Sequence, residues 1–259
     1  MWKGNEKSLR YWLREWRRVF AMTGELEPRL RRRFRTAMMR ALLGRDDMAL
    51  QEIELAMNSI ILHQSRVRNR VVEAVIVATD MAGIKRPPKK QIRDGVRQRW
   101  DDFEAARRPL IYGAASRLIA KLPDIIQGEM DGQIPPPLGS PASAYPDGVF
   151  ARIEARINAN ASATAKVAAL TETHAAAIAA QHNSVLELGI PISTKTWAAT
   201  HDHRTRPAHR AADGQTVPVD APFVVEGYPI PLPGDGSLGA PLELIINCRC
   251  GVIYDAPRE

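Results

Sequence analysis

The chain has 259 residues, 45 % of them hydrophobic, and a formal net charge of +7. That is enough apolar material for one large domain or two of ordinary size, whereas an aromatic content of 6 % argues against an aromatic-lined ligand barrel. No run of eighteen apolar residues occurs, so no membrane span is expected, and the excess of base favours an acidic partner such as nucleic acid or an acidic protein face.

The opening, "MWKGNEKSLRYWLREWRRVF", is charged throughout and lacks the apolar stretch of a secretory signal. Two cysteines separated by one residue do not make a disulfide framework, and they fit a reducing compartment. From about residue 5 to 131 the sequence reads as helix after helix. Leu9, Trp12, Leu13, Trp16 and Phe20 recur at three- and four-residue steps, with Arg10, Arg14, Arg17 and Arg18 on the opposite face. The stretch "PRLRRRFRTAMMRALL" repeats the plan through Leu30, Phe34, Met38 and Leu42, and carries Arg31, Arg32, Arg33 and Arg35. Leu50, Ile53, Met57, Ile60, Ile61 and Val67 mark a longer helix over 47–80. Pro87 and Pro88 end that pattern, and another helical pattern covers roughly 90–129.

Between Asp131 and Gly148, five prolines and three glycines in eighteen residues predict a linker. The chain-order division is therefore a helical domain at 1–131, a linker at 132–148 and a third part at 149–259. An Ala-rich segment over 149–189 predicts one long or two shorter helices. From residue 190 to 259, prolines, glycines and short β-branched runs predict a β-rich, loop-rich module. Its expected strands are "STKTWAAT", "QTVPVDAPFVV", "LELII" and "CGVIYD". The fold class expected is α+β, a mainly α-helical N-terminal region followed by a small β-rich module.

Two clusters in that module carry the chemistry. "HDHRTRPAHRAADG", His201 to Gly214, packs three of the six histidines into nine residues, and "NCRC", Asn247 to Cys250, holds both cysteines. Residues i and i+2 of a strand face the same side. Cys248 and Cys250, together with His201 and His203 if that segment is extended, would then present two sulfurs and two imidazoles to one zinc ion. The alternative is two buried thiols beside hydrogen-bonded or solvated histidines. A catalytic base His209 oriented by Asp202 is a further reading, but no nucleophile stands in a recognisable setting, so no catalytic residue is assigned. Asp202 and Asp213 are expected to pair with guanidinium groups and fix a loop-rich fold.

Taken together, Trp197, Asp202, Arg204, Arg206, His209, Asp213, Gly214, Asn247, Cys248, Arg249 and Cys250, with "PGDGS" between the two clusters, resemble the C-terminal domain of phage Mu F-like head morphogenesis proteins. The likeness covers about 165–255. It implies a non-enzymatic minor capsid protein of a tailed bacteriophage, built into the virion in few copies. It also implies a position inside the capsid near the portal vertex, and in the host cytoplasm during assembly. The portal protein is the partner implied first, then a major capsid or scaffolding protein. Some relatives carry Cys-x-x-Cys where this chain has Arg206 and His209, and a histidine where it has Ile245. The remaining set is thus His209, Cys248 and Cys250, with a fourth ligand from His203, His201 or Asp202.

Between residues 1 and 40, twelve basic residues, Lys3 among them, face four acids. A cationic helix face of this kind can neutralise the phosphates of double-stranded DNA. Two other readings remain: a metal-dependent hydrolase or nuclease using His201, His203, His209, Cys248 and Cys250, and an effector-type transferase, since relatives of this domain can be joined to toxin modules.

Overall fold

A computed structural model describes residues 6–255, except for the side chain of Leu9. Lys3 lies outside the described residues, and so does the placement of Leu9 on the first helical face. Seven α-helices are described: α1 Glu6–Ala21, α2 Thr23–Leu42, α3 Asp46–Met81, α4 Lys89–Ala120, α5 Leu122–Glu129, α6 Val149–Leu186 and α7 Pro207–Ala211. The strands are β1 Thr194–Ala198, β2 Thr216–Pro218, β3 Phe223–Val225, β4 Tyr228–Ile230 and β5 Gly251–Asp255. The class is α+β, with a long helical region followed by short sheets.

The chain falls into two compact units, and their borders do not follow the linker. One unit holds Met1–Thr23, His63–Arg107 and Leu170–Glu259; the other holds Gly24–Leu62 and Arg108–Ala169. The chain-order division misses this because α3, α4 and α6 have 36, 32 and 38 residues. At 1.5 Å per residue, α6 runs about 57 Å, so its two halves serve different cores. The Pro-rich stretch is irregular apart from a 3-10 turn at Ala142–Ala144, and its Tyr145 is buried in the second unit.

The second unit is a helix-on-helix core. Leu26, Leu30, Phe34, Met38 and Leu42 of α2 pack with Ile53 and Ile60 of α3, and with Leu118, Leu122 and Ile126. On α6, Val149, Ile153, Ile157, Ala161, Ala165 and Ala169 recur every four residues and are all buried, giving one continuous stripe. The predicted α2 stripe lies in this core. Leu50 of the α3 pattern is instead exposed, because Ala49 and Ile53 take the inward positions.

The first unit contains a helical core and the C-terminal module. Val67, Val71, Ile76, Ile92, Val96 and Trp100 pack with Val19 and with Ala176, Ala177 and Ala180 of α6. On α1, Leu13 is exposed and Glu15 is buried, the reverse of the amphipathic expectation; Arg18 and Arg70 hold the Glu15 carboxylate at 2.5 and 2.9 Å. In the module, β1 is the centre of an antiparallel sheet ordered β2-β1-β5, and β3 and β4 form a separate hairpin. β1 alternates, so Lys195 and Trp197 point inward. Lys195 reaches the Pro231 carbonyl at 2.9 Å and lies over the Phe223 ring. Burial draws its pKa down to about 8.

Two of the expected strands in the module change, and a strand not expected, β4, is present. "QTVPVDAPFVV" breaks into β2 and β3, and β4 accommodates Pro229 on a two-stranded sheet. "LELII" is a 3-10 turn, Leu242–Leu244, and not a strand. Leu244 and Ile245 are consecutive and both buried, which a strand with one buried face cannot supply.

Candidate functional site

β1 delivers the chain to the first cluster. His201 follows it in the left-handed region, at φ 56°. The Asp202 carboxylate then accepts the Arg204 N–H at 2.9 Å and the Thr205 hydroxyl at 3.1 Å, a local turn that sets the start of α7. Pro207 occupies the first turn of α7, where its missing N–H costs nothing, and the helix presents His209 inward with 2 % exposure. Asp213 and Gly214 close the segment. Gly214 has φ 76° and donates to the Trp197 carbonyl, a conformation that favours glycine. Asp213 accepts the Ala199 N–H and His201 Nε2, both at 2.7 Å. The Ala199 bond first, then His201, lowers its pKa.

The second cluster meets the first through its carbonyls. His209 Nε2 donates to Leu244 O at 3.0 Å, Arg206 Nη2 donates to Ile246 O, and Thr200 Oγ1 donates to Arg249 O at 2.8 Å. These outward-turned carbonyls explain why "LELII" does not join a sheet. Asn247 accommodates the turn at φ 54°. Arg249 then grips the Asp202 carboxylate with both terminal nitrogens, Nη2 to Oδ1 at 2.6 Å and Nη1 to Oδ2. This fork holds the Asp202 carboxyl well below the usual carboxylate range.

Below this pairing, His209 Nδ1 lies 3.7 Å from Cys248 Sγ and 3.4 Å from Cys250 Sγ. The Trp197 ring stands edge-on to His209, with centroids 5.5 Å apart. Both thiols are buried and free. The hydrogen bond they share splits their titration, holding Cys248 protonated well above its ordinary range and drawing Cys250 down.

The second half of α6 supplies the floor. Thr171 Oγ1 accepts the Asn247 N–H at 3.0 Å, and His174 Nε2 donates to the Cys250 carbonyl at 2.9 Å. Between them, Glu172 receives Arg107 Nη2 at 2.5 Å, Arg107 Nε at 3.1 Å and Gln64 Nε2 at 2.8 Å. Arg107 also donates to Gly234 O at 2.9 Å, which ties in the "PGDG" loop. A Cβ at Gly236 of that loop would stand 2.2 Å from Ile245 Cδ1, so a larger residue there would have to displace the end of that side chain. Sequence reasoning missed Arg107, Gln64, His63 and His174. Their signal was "TETH", Thr171 to His174, a polar run inside an Ala-rich helix whose residues 171–181 are all buried.

Several expected pairings change. Asp202 does pair with a guanidinium group, that of Arg249, whereas Asp213 pairs with a histidine and a backbone N–H. Arg204 joins through its backbone N–H while its side chain is exposed. Among the described residues, the group whose ligand atoms lie within 4.8 Å of one another is His209, Cys248 and Cys250. His203 is exposed and outside that group, His201 is occupied by Asp213, and Asp202 by Arg249. The His201–His203–His209 centre of the hydrolase reading therefore does not form.

The cationic helices sort into paired and unpaired residues. Arg10 is paired with Glu6, and Arg14 and Arg18 with Glu15, while Arg33 and Arg40 share Glu52. Arg31, Arg32 and Arg35 line a groove with Asn158 and Ser162, and no ion pair to these three is found among the described residues. No described helix is long and apolar enough to cross a membrane. An apolar cavity of about 30 Å³ beside Trp12, Val75 and Tyr254 has room for about one water.

Comparison with known proteins agrees with the C-terminal resemblance. Residues 147–253 match the family described as Phage Mu protein F like protein. One curated relative, NAD(+)--arginine ADP-ribosyltransferase EFV of Enterococcus faecalis (strain ATCC 700802 / V583), is 42 % identical over 67 residues, 26 % of this chain. The chain covers 13 % of that protein. No solved structure matches.

Proposed function

Given a C-terminal part that matches the family described as Phage Mu protein F like protein, we propose that this chain is a minor head protein of a tailed bacteriophage. It acts in head morphogenesis as a structural, non-enzymatic component of the virion, docked inside the capsid near the portal vertex. The portal protein is its first partner, and a major capsid or scaffolding protein the second. The match over residues 147–253 carries this reading. The site's geometry supports it, because the polar groups are spent on one another and on backbone carbonyls. In this reading Asp202, Arg206, His209 and Arg249 are a brace that fixes the module as a rigid docking body. The transferase name belongs to a relative of which this chain covers 13 %, so the shared stretch carries no transferase activity to this chain.

Arg31, Arg32 and Arg35 add a second contact, with the phosphates of packaged double-stranded DNA. Each phosphate neutralised steepens the fall of log affinity with log salt by about 0.9. Replacing all three arginines with glutamine should flatten that slope by roughly 2–3, measured by retention on duplex DNA. An unchanged slope removes the DNA contact and leaves the head assignment standing. The head assignment itself is tested by deleting the gene from the phage that encodes it. Heads that lose infectivity or genome content, and regain both when the chain is supplied in trans and found in purified particles, support the reading. Normal heads without the chain, or virions that never contain it, overturn it.

A further inference from the structure

We propose that His209, Cys248 and Cys250 bind one zinc ion as its three protein ligands, with a water closing the tetrahedron. This inference rests on the local geometry and is independent of the head assignment. Zinc holds sulfur at about 2.3 Å and imidazole nitrogen at about 2.0–2.1 Å, so tetrahedral angles put nitrogen and sulfur about 3.5 Å apart. The observed separations from His209 Nδ1, 3.4 and 3.7 Å, bracket that value.

The imidazole is set in the tautomer a metal needs. Its Nε2–H is committed to the Leu244 carbonyl at 3.0 Å, which leaves the Nδ1 lone pair facing both sulfurs. A ligating histidine characteristically makes this outer bond to a carbonyl or carboxylate. Without an ion, the Nδ1 lone pair takes one S–H and the other S–H is left to the neighbouring sulfur, a weak acceptor. An ion at their common point satisfies all three atoms.

Charge and ligand type select the metal. Two thiolates and a neutral imidazole around a divalent ion make a neutral group, the condition for placing it where all three residues are 2 % exposed. Among the described residues no carboxylate belongs to this ligand group, and that of Asp202 is occupied by Arg249, so the oxygen ligands that magnesium or calcium require are missing, while sulfur and imidazole suit zinc. The ion would fasten α7 to the segment that leads into β5, across a separation of 39 positions between His209 and Cys248. Binding converts two thiols to thiolates and releases their two protons to solvent; no oxidation is involved.

The test uses the full chain, produced with zinc in the medium and purified without chelator. Elemental analysis should find about one zinc per chain. His209→Gln, and the Cys248→Ser Cys250→Ser double variant, should fall below about a tenth of that, whereas His209→Cys, which keeps three ligands, should retain it. In case the variants fail to fold, cobalt is titrated into the chelator-stripped wild-type chain. A thiolate-to-cobalt absorption band saturating at one equivalent and abolished by zinc supports the site. Wild-type chain that carries no zinc and gives no cobalt band, with thiols equally reactive with and without zinc, shows a hydrogen-bonded trio only and overturns the proposal. So does a stoichiometric metal other than zinc.

Discussion

The two compact units solve the problem of a stable interior in different ways. The unit of residues 24–62 and 108–169 is filled with aliphatic side chains and alanines, and Glu52 is its one buried polar residue among those described. The other unit buries His63, Gln64, Arg107, Thr171, Glu172, Thr173, His174, Lys195 and His209, nearly all answered by a specific partner. All six histidines and both cysteines fall in it. An apolar core tolerates exchange of one hydrophobic residue for another of similar volume. A buried polar network does not, because each group removed strands its partner. The polar unit holds most of the family match and both clusters, so it is where single substitutions should act most sharply.

The largest expected effect is on the Arg107–Glu172 pair, whose side chains are 3 % and 7 % exposed. Removing either partner with alanine should cost about 3–5 kcal/mol, because the other charge is left buried and unpaired. Arg107→Met with Glu172→Leu should recover most of that loss. Denaturant melts of the three variants check it, and a double variant as unstable as the singles would show that the pair is more than a matched charge. In the apolar unit, Ile157→Ala should cost about 2–5 kcal/mol through the cavity it leaves, while Ile157→Leu should cost less than about 1.5 kcal/mol.

Acid should separate the units next. Burial draws the pKa of His174 and of His182 down to about 4, against about 6.5 in an unfolded chain. Both are depressed, so the fold binds fewer protons than the unfolded chain. Their contribution is complete above about pH 6.5 and declines as pH falls toward 4. Hydrogen exchange, corrected for intrinsic rates, should rise over this window in segments 63–107 and 170–255 more than in 24–62 and 108–169. An equal rise would erase the contrast. The smallest effect expected is Arg204→Ala, within about 0.5 kcal/mol in a thermal or denaturant melt, since that side chain is exposed and only its N–H is used.

The apolar unit was the more legible from sequence. Leu30, Phe34, Met38 and Leu42 state the buried face of α2 by their spacing alone, and the long α3 and α6 follow from unbroken helical patterns. Periodicity does not reveal that one helix serves two cores, and the Pro- and Gly-rich composition of 132–148 points to a boundary there instead. In the polar unit the clusters stood out by composition, but their partners did not. Asp202 could have paired with any of several nearby arginines, and it chose Arg249, 47 residues away. Which carboxylate meets which guanidinium depends on where a 3-10 turn and a left-handed Asn247 aim the chain, and residue type alone leaves that open. The arginine that meets Glu172 comes from α4, 65 residues earlier, with no local mark on Arg107.

The claim on which the polar unit turns is that residues 201–214 and 244–250 are fastened to each other. A double-mutant cycle on Asp202→Ala and Arg249→Ala, read as the change in melting temperature of the full chain, tests it most directly. The contact predicts that the double variant is no less stable than the worse single variant, so the two losses do not add. Losses that sum within error would mean that the two side chains act separately, and the fastening described here would be contradicted.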